Sequence, residues 1–71
     1  VEVVELVAEE GSYITTDSLK NLKLPKNTTI GGIVRNNIGV VAVGDTKIKA
    51  GDNVTVFCGA YTIQKIEKLF K

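Results

Sequence analysis

The chain has 71 residues, a formal net charge of +1, 44% hydrophobic residues and 24% charged ones. A chain of that length makes one domain that buries only roughly 60% of its unfolded surface, and no apolar run approaches the ~18 residues of a membrane-spanning helix. The expectation is one small soluble domain with a core that is marginal alone.

The first stretch, VEVVELVA, places Val4, Leu6 and Ala8 on one face and Val3, Glu5 and Val7 on the other, which predicts a strand partly buried on both sides. It lacks the basic flank and small-residue cleavage site of a secretion signal. Glu2, Glu5, Glu9, Glu10 and Asp17 all precede the first lysine, and the basic remainder carries spread-out lysines of the kind that form a solvated surface. In EEGSYITTDSLKNLKLPKN, Thr16 or Asp17 is placed to cap a short helix with Leu19 and Leu22 on one face, ending before Pro25. From Thr28 the residues turn β-branched. TTIGGIVR and IGVVAVG predict a hairpin turning at Asn36-Asn37, because asparagine tolerates the left-handed backbone of a tight turn. NVTVF predicts a fourth strand with Val54, Val56 and Cys58 on one face and Thr55 and Phe57 on the other. In AYTIQKIEKLF, Ile63, Ile66, Leu69 and Phe70 repeat at helical spacing.

Two Gly-Asp pairs flank the segment before the fourth strand. Lys49-Ala50-Gly51-Asp52 has the pattern of a type II turn, with glycine where φ is positive and Asp52 able to accept from nearby backbone. Gly44-Asp45-Thr46 closes the preceding strand, and Ile48 pins the connection to the core. All four residues Gly44, Asp45, Gly51 and Asp52 are therefore read as structural turns. Calcium would need about six to eight oxygen ligands, more than Asp45 and Asp52 supply, so no metal site is expected.

No catalytic residue is assigned. The chain has no histidine to act as a base near neutral pH, and Cys58, which has no partner for an internal disulfide, reads as a small hydrophobe in a reducing, cytoplasmic setting. Glu9-Glu10 beside Gly11 reads as a solvated strand end. No G-x-G-x-x-G is present, and the glycines from Gly39 to Gly44 lack the Lys-Ser/Thr of a phosphate-binding loop. One alternative is a small β-rich nucleic-acid-binding module using Lys47, Lys49, Arg35 and Tyr61. Tyr13, Phe57, Tyr61 and Phe70 are too scattered for a base-stacking surface, so no nucleic-acid binding is expected.

EGS, DSLKNLKLP, IGGIVRNN, VGDTKIKAGDNVTVF and the closing helical pattern, in that order and spacing, make the chain resemble the C-terminal domain of regulators of potassium conductance of the Trk potassium-uptake type. The resemblance covers nearly the whole chain. It departs at Ala42 and Ala50, where proline is common, and at Cys58, where glycine is common. It implies an α+β fold, a small mixed or antiparallel sheet of about four or five strands in the order β-α-β-β-β-α with the last helix packed on it. It also implies a non-catalytic cytoplasmic regulatory domain at the inner face of the membrane. The implied partners are a second copy in a homodimer, a membrane potassium channel or transporter subunit, and a separate Rossmann nucleotide-binding domain to which NAD or ATP would be confined. The first and second strands are the expected dimer contacts.

In some Ktr-type members the resemblance also implies a cyclic dinucleotide between subunits, held by apolar residues and an arginine shortly after the leucine-rich helix. Here that segment reads LKLPKNTTIGGI, with Leu24-Pro25-Lys26 near the arginine's place, and a lysine does not reproduce a guanidinium's bidentate grip on phosphate. Leu22, Leu24, Pro25, Ile30 and Ile33 are therefore expected to line an interface cleft that binds cyclic di-AMP weakly or not at all.

Overall fold

A computed structural model describes all 71 residues. Four strands, β1 (Glu2–Val7), β2 (Thr29–Arg35), β3 (Ile38–Val40) and β4 (Asn53–Cys58), form one sheet in the order β1-β4-β2-β3. Every neighbouring pair is antiparallel, so the last strand in sequence enters between the first and second. The C-terminal helix α1 covers Ile63–Leu69 after a 3-10 turn at Ala60–Thr62. This is the expected α+β architecture with four strands.

The sheet's two faces follow the alternation in the sequence. Val4 pairs with Val56 and Leu6 with Val54 across β1 and β4, while Val3 pairs with Phe57 on the opposite face. Val54, Val56 and Cys58 point into a core that also contains Ala8, Ile14, Ile33, Ile48, Ile66 and Phe70. Ile48 is fully buried, as its isolation among polar neighbours predicted. Burying each such side chain is worth about 1.5–3 kcal/mol. Glu9 N donates to Phe70 O at 2.9 Å, which ties the end of α1 to the segment after β1.

The turns explain the connections. Asn36 and Asn37 have φ of 52° and 65°, the two left-handed residues of a type I′ hairpin turn, with Arg35 and Ile38 paired around them. Gly51 has φ of 91° and Asp52 N donates to Lys49 O at 3.0 Å, consistent with the type II turn expected there. Around Gly44-Asp45 the turn closes through Thr46 N donating to Val43 O at 3.0 Å, without a left-handed glycine.

Two expectations need correction. The short helix is instead a pair of 3-10 turns, Tyr13–Thr15 and Leu19–Asn21. The Asp17 carboxylate, in place of capping an α-helix, accepts from Ser18 N at 2.7 Å and Asn21 Nδ2 at 3.2 Å, a local bond that competes with helix. Leu19 N and Lys20 N donate outward to Thr46 O and Gly44 O, both at 2.9 Å, so the segment is built against the later loop. The third strand is also shorter than IGVVAVG. The Thr46 hydroxyl donates to Val41 O at 2.9 Å and accepts from Val43 N at 3.1 Å, folding residues 41 to 46 into a loop.

Candidate functional site

All helical and 3-10 segments with buried residues pack on the core face of the sheet, and no segment of the chain covers the other face. That outer face carries Val3, Glu5 and Val7 of β1, Asn53, Thr55 and Phe57 of β4 and Thr29 and Val34 of β2, with Val41 just beyond β3. An open groove of about 550 Å³ runs along it over β2 and β3, lined by Gly31, Gly32, Ile33, Val34, Gly39, Val40, Val41, Ala42 and Thr55. A register shift between Ile30 and Gly32 places two adjacent glycines in this floor. Beside it the Phe57 ring lies over Gly31, where an added Cβ would overlap the ring. No lining residue is charged, so the groove favours a neutral, apolar surface.

The five residues expected to line a cleft do not form this groove. Leu22, Leu24 and Ile30 are half-buried and pack against the core, Pro25 is half-buried in the connection to β2, and Ile33 is a core residue only 2% exposed. Only Ile33 touches the groove, and its burial leaves little surface there. Ile33 thus belongs to the core, and Leu22, Leu24 and Ile30 each pack against it. The expected interface strands also differ in standing: β1 is an edge strand, whereas β2 lies between β4 and β3 and has only its outer face to offer.

The strongest electrostatic feature joins residues the sequence reading treated separately. Asp52, 1% exposed, accepts from Arg35 Nε at 2.9 Å and Arg35 Nη2 at 2.7 Å, a bidentate pair between the end of β2 and the start of β4. Arg35 Nη2 also donates to Lys47 O at 3.0 Å, and Lys49 N donates to Asp52 Oδ2 at 2.8 Å. The guanidinium is the largest influence holding the Asp52 carboxyl below the usual carboxylate range, against a burial effect that pushes it up. The same bond raises Arg35. The main chain of this turn reaches β1 as well, with Gly51 N donating to Ala8 O at 2.7 Å and Ala8 N to Asp52 O at 2.9 Å. Asp52 is therefore more than a local turn residue, and only its separation of 17 positions from Arg35 hid this in the sequence.

The other candidate groups are placed as follows. Asp45 pairs with Lys20 at 2.7 Å on an exposed surface, so the carboxylates of both Gly-Asp pairs face cations of the chain itself. Of the residues considered for nucleic acid, Arg35 is committed to Asp52, and Tyr61, 98% exposed, lies in the 3-10 turn before α1. Cys58 is buried in the core.

Residues 3–71 match the TrkA-C domain family. The chain belongs to that family. Over 69 residues, 97% of its length, it is 41% identical to a Trk system potassium uptake protein TrkA homolog of Archaeoglobus fulgidus, and covers 16% of that protein. Over 70 residues it is 36% identical to the Trk system potassium uptake protein TrkA of Azorhizobium caulinodans, covering 99% of this chain and 15% of that protein. The chain thus spans about one sixth of the length of these relatives. The fold superposes on a solved structure described as "Structure of RCK domain with cda" with a TM-score of 0.85, covering 100% of both chains at 21% identity. This TrkA-C domain therefore has the RCK C-terminal fold. No helix is long and apolar enough to cross a membrane.

Proposed function

We propose that this TrkA-C domain is a non-catalytic regulatory unit of a potassium-uptake system. The observation that carries the reading is the family match across residues 3–71, joined to relatives named as Trk potassium uptake proteins. The domain works in the cytoplasm, at the inner face of the membrane through a potassium channel or transporter subunit. A separate Rossmann domain binds NAD or ATP, and movements started there pass through this domain to the pore. Its first role is to hold two regulatory subunits together as a homodimer. The uncovered outer sheet face, with Val3, Val7, Val34 and Phe57 in water, supports that role, because such surface is what association removes.

Ligand sensing is the second role. A cleft completed between subunits by Leu22, Leu24, Pro25, Ile30 and the limited surface of Ile33 takes cyclic di-AMP weakly or not at all, because Leu24-Pro25-Lys26 offers no guanidinium to the phosphates. Sedimentation tests the first role. A standard-size obligate interface keeps the dimer intact at ~100 µM, and a monomer at that concentration overturns it. Calorimetry tests the second: submicromolar binding of cyclic di-AMP refutes the weak site, and loss of any weak binding on Pro25→Ala places it. A potassium-uptake assay in cells carrying the full-length protein tests regulation itself. Deleting this domain should change potassium uptake, and unchanged uptake removes the reading.

A further inference from the structure

The connection from the 3-10 turn at Leu19–Asn21 to β2 differs from the rest of the chain in how it is held. Residues 23 to 28 take part in no main-chain to main-chain hydrogen bond of the turns and loops, whereas the loop from Val43 to Asp52 is held by a series of them. One tertiary hydrogen bond reaches the connection: Lys23 N donates to the Tyr13 hydroxyl at 2.8 Å. The remaining bond there is internal, from the Thr28 hydroxyl to Lys26 O at 3.4 Å.

The segment that carries this hydroxyl is held by several bonds. Tyr13 sits in a 3-10 turn anchored by the fully buried Ile14, with Thr15 N donating to Ser12 O at 3.1 Å and Thr16 N to Tyr13 O at 3.0 Å. The buried Ser12 hydroxyl donates to Glu9 O at 2.6 Å beneath it. Both ends of the connection are bends: Leu22 leaves the preceding turn in extended geometry, and Asn27 has φ of 61°. Between them Leu22 and Leu24 lie half-buried against the core.

We infer that Leu22–Thr28 is a hinged strap over the core beside β2, and that the Tyr13 hydroxyl is its latch. Segments with few main-chain bonds and partial burial open locally at a small fraction of the global unfolding free energy. Opening lifts Leu22 and Leu24 off the core they pack against and uncovers apolar surface there without separating any strand pair. The opening stands on the hydrogen-bond pattern alone. Its consequence, controlled access of a ligand to the cleft, rests on the reading given under Proposed function.

Amide hydrogen exchange on the 71-residue chain tests the latch, with Tyr13→Phe as the perturbation and Lys23→Ala as the control that keeps the donating N–H. In the unaltered chain and in K23A the Lys23 amide should be protected. In Y13F it should exchange roughly five-fold faster or more, the effect of one net hydrogen bond, while Val54 and Val56 amides keep their rates. An unprotected Lys23 amide in the unaltered chain, or an unchanged rate in Y13F, overturns the latch. So does equal acceleration at every amide, which would make the bond part of global stability. A calorimetric titration of Y13F with cyclic di-AMP separates the two readings. Faster exchange with a gain in binding supports gated access to the cleft, whereas faster exchange with no gain leaves the latch standing and overturns the gating of cyclic di-AMP by the strap.

Discussion

Asp52→Ala removes the group on which three parts of this fold converge. The carboxylate is 1% exposed and takes three hydrogen bonds, two from Arg35 and one from Lys49 N. Breaking a fully buried ion pair costs about 3–5 kcal/mol, and stranding a buried backbone donor about 1–3 kcal/mol. Those figures do not add in full here, since the Arg35 side chain is 26% exposed, reaches solvent and keeps Lys47 O. The expected loss for Asp52→Ala is about 2–4 kcal/mol, a large share of the roughly 4–11 kcal/mol available to a chain of this size. The midpoint of thermal unfolding should fall by about 10–25 °C. The pH dependence has a definite sign. Asp52 has a folded pKa below its unfolded value of about 3.9, so its contribution is present above that value and disappears as pH falls through the folded pKa. Denaturant titrations of D52A and the unaltered chain should therefore show their full difference near pH 6–7, which narrows as pH falls below about 4 towards the lowered folded pKa. A difference under about 0.5 kcal/mol at neutral pH, the range of ordinary surface changes, would refute the account.

Gly51→Val should cost about 1–2 kcal/mol through its φ of 91° alone, because nothing lies within 4 Å of the added Cβ, whereas Gly44→Ala, at a turn without positive φ, should stay within about 0.5 kcal/mol. Equal denaturant midpoints for the two variants would contradict the turn assignments. Gly31→Ala should destabilise by forcing the Phe57 ring aside, and less so in a Phe57→Ala background. A double-mutant cycle with no coupling between positions 31 and 57 would show that the ring does not rest on Gly31.

What was legible in the sequence is mostly local. The Asn36-Asn37 turn, the Gly51 turn and the two-residue alternation of β1 and β4 depend on neighbours a few positions apart, so residue types alone indicate them. The buried Ile48 was legible for a similar reason, one apolar residue in a polar loop. What escaped depends on distant partners. Leu19 and Leu22 have helical spacing, yet Asp17 and the carbonyls of Gly44 and Thr46 take the donors of that segment and leave two 3-10 turns. The valines after Val40 look like strand, but the Thr46 hydroxyl bends them away. For the site, composition identified Leu22, Leu24, Ile30 and Ile33 as apolar and close in sequence. It carried no sign that all four already pack onto the core, or that a different groove is floored by Gly31, Gly32 and Gly39.

These placements narrow how two copies could meet. The free edge at β3 is a poor template for strand addition, because β3 is three residues long and Thr46 has already used Val41 O and Val43 N. The β1 edge is longer at six residues but carries Glu2 and Glu5, side chains that discourage close self-pairing of edges. The outer face is broader and mostly apolar, with Glu5 opposite Thr55 as its one charged β1 side chain. It joins Val3 and Phe57 as direct cross-strand neighbours and continues through Thr55 to Val34 and the uncharged groove. A homodimer built on that face uses β1, β4 and β2 together and leaves the strap on the opposite side free to move, so it does not itself complete the Leu22–Ile33 cleft between subunits, in keeping with weak or absent cyclic di-AMP binding there. A Phe57→Lys substitution should then weaken association far more than Ile38→Lys beside the hairpin turn, and sedimentation of the two variants at ~100 µM compares them directly. Dissociation caused by Ile38→Lys but not by Phe57→Lys would move the interface to the β3 edge.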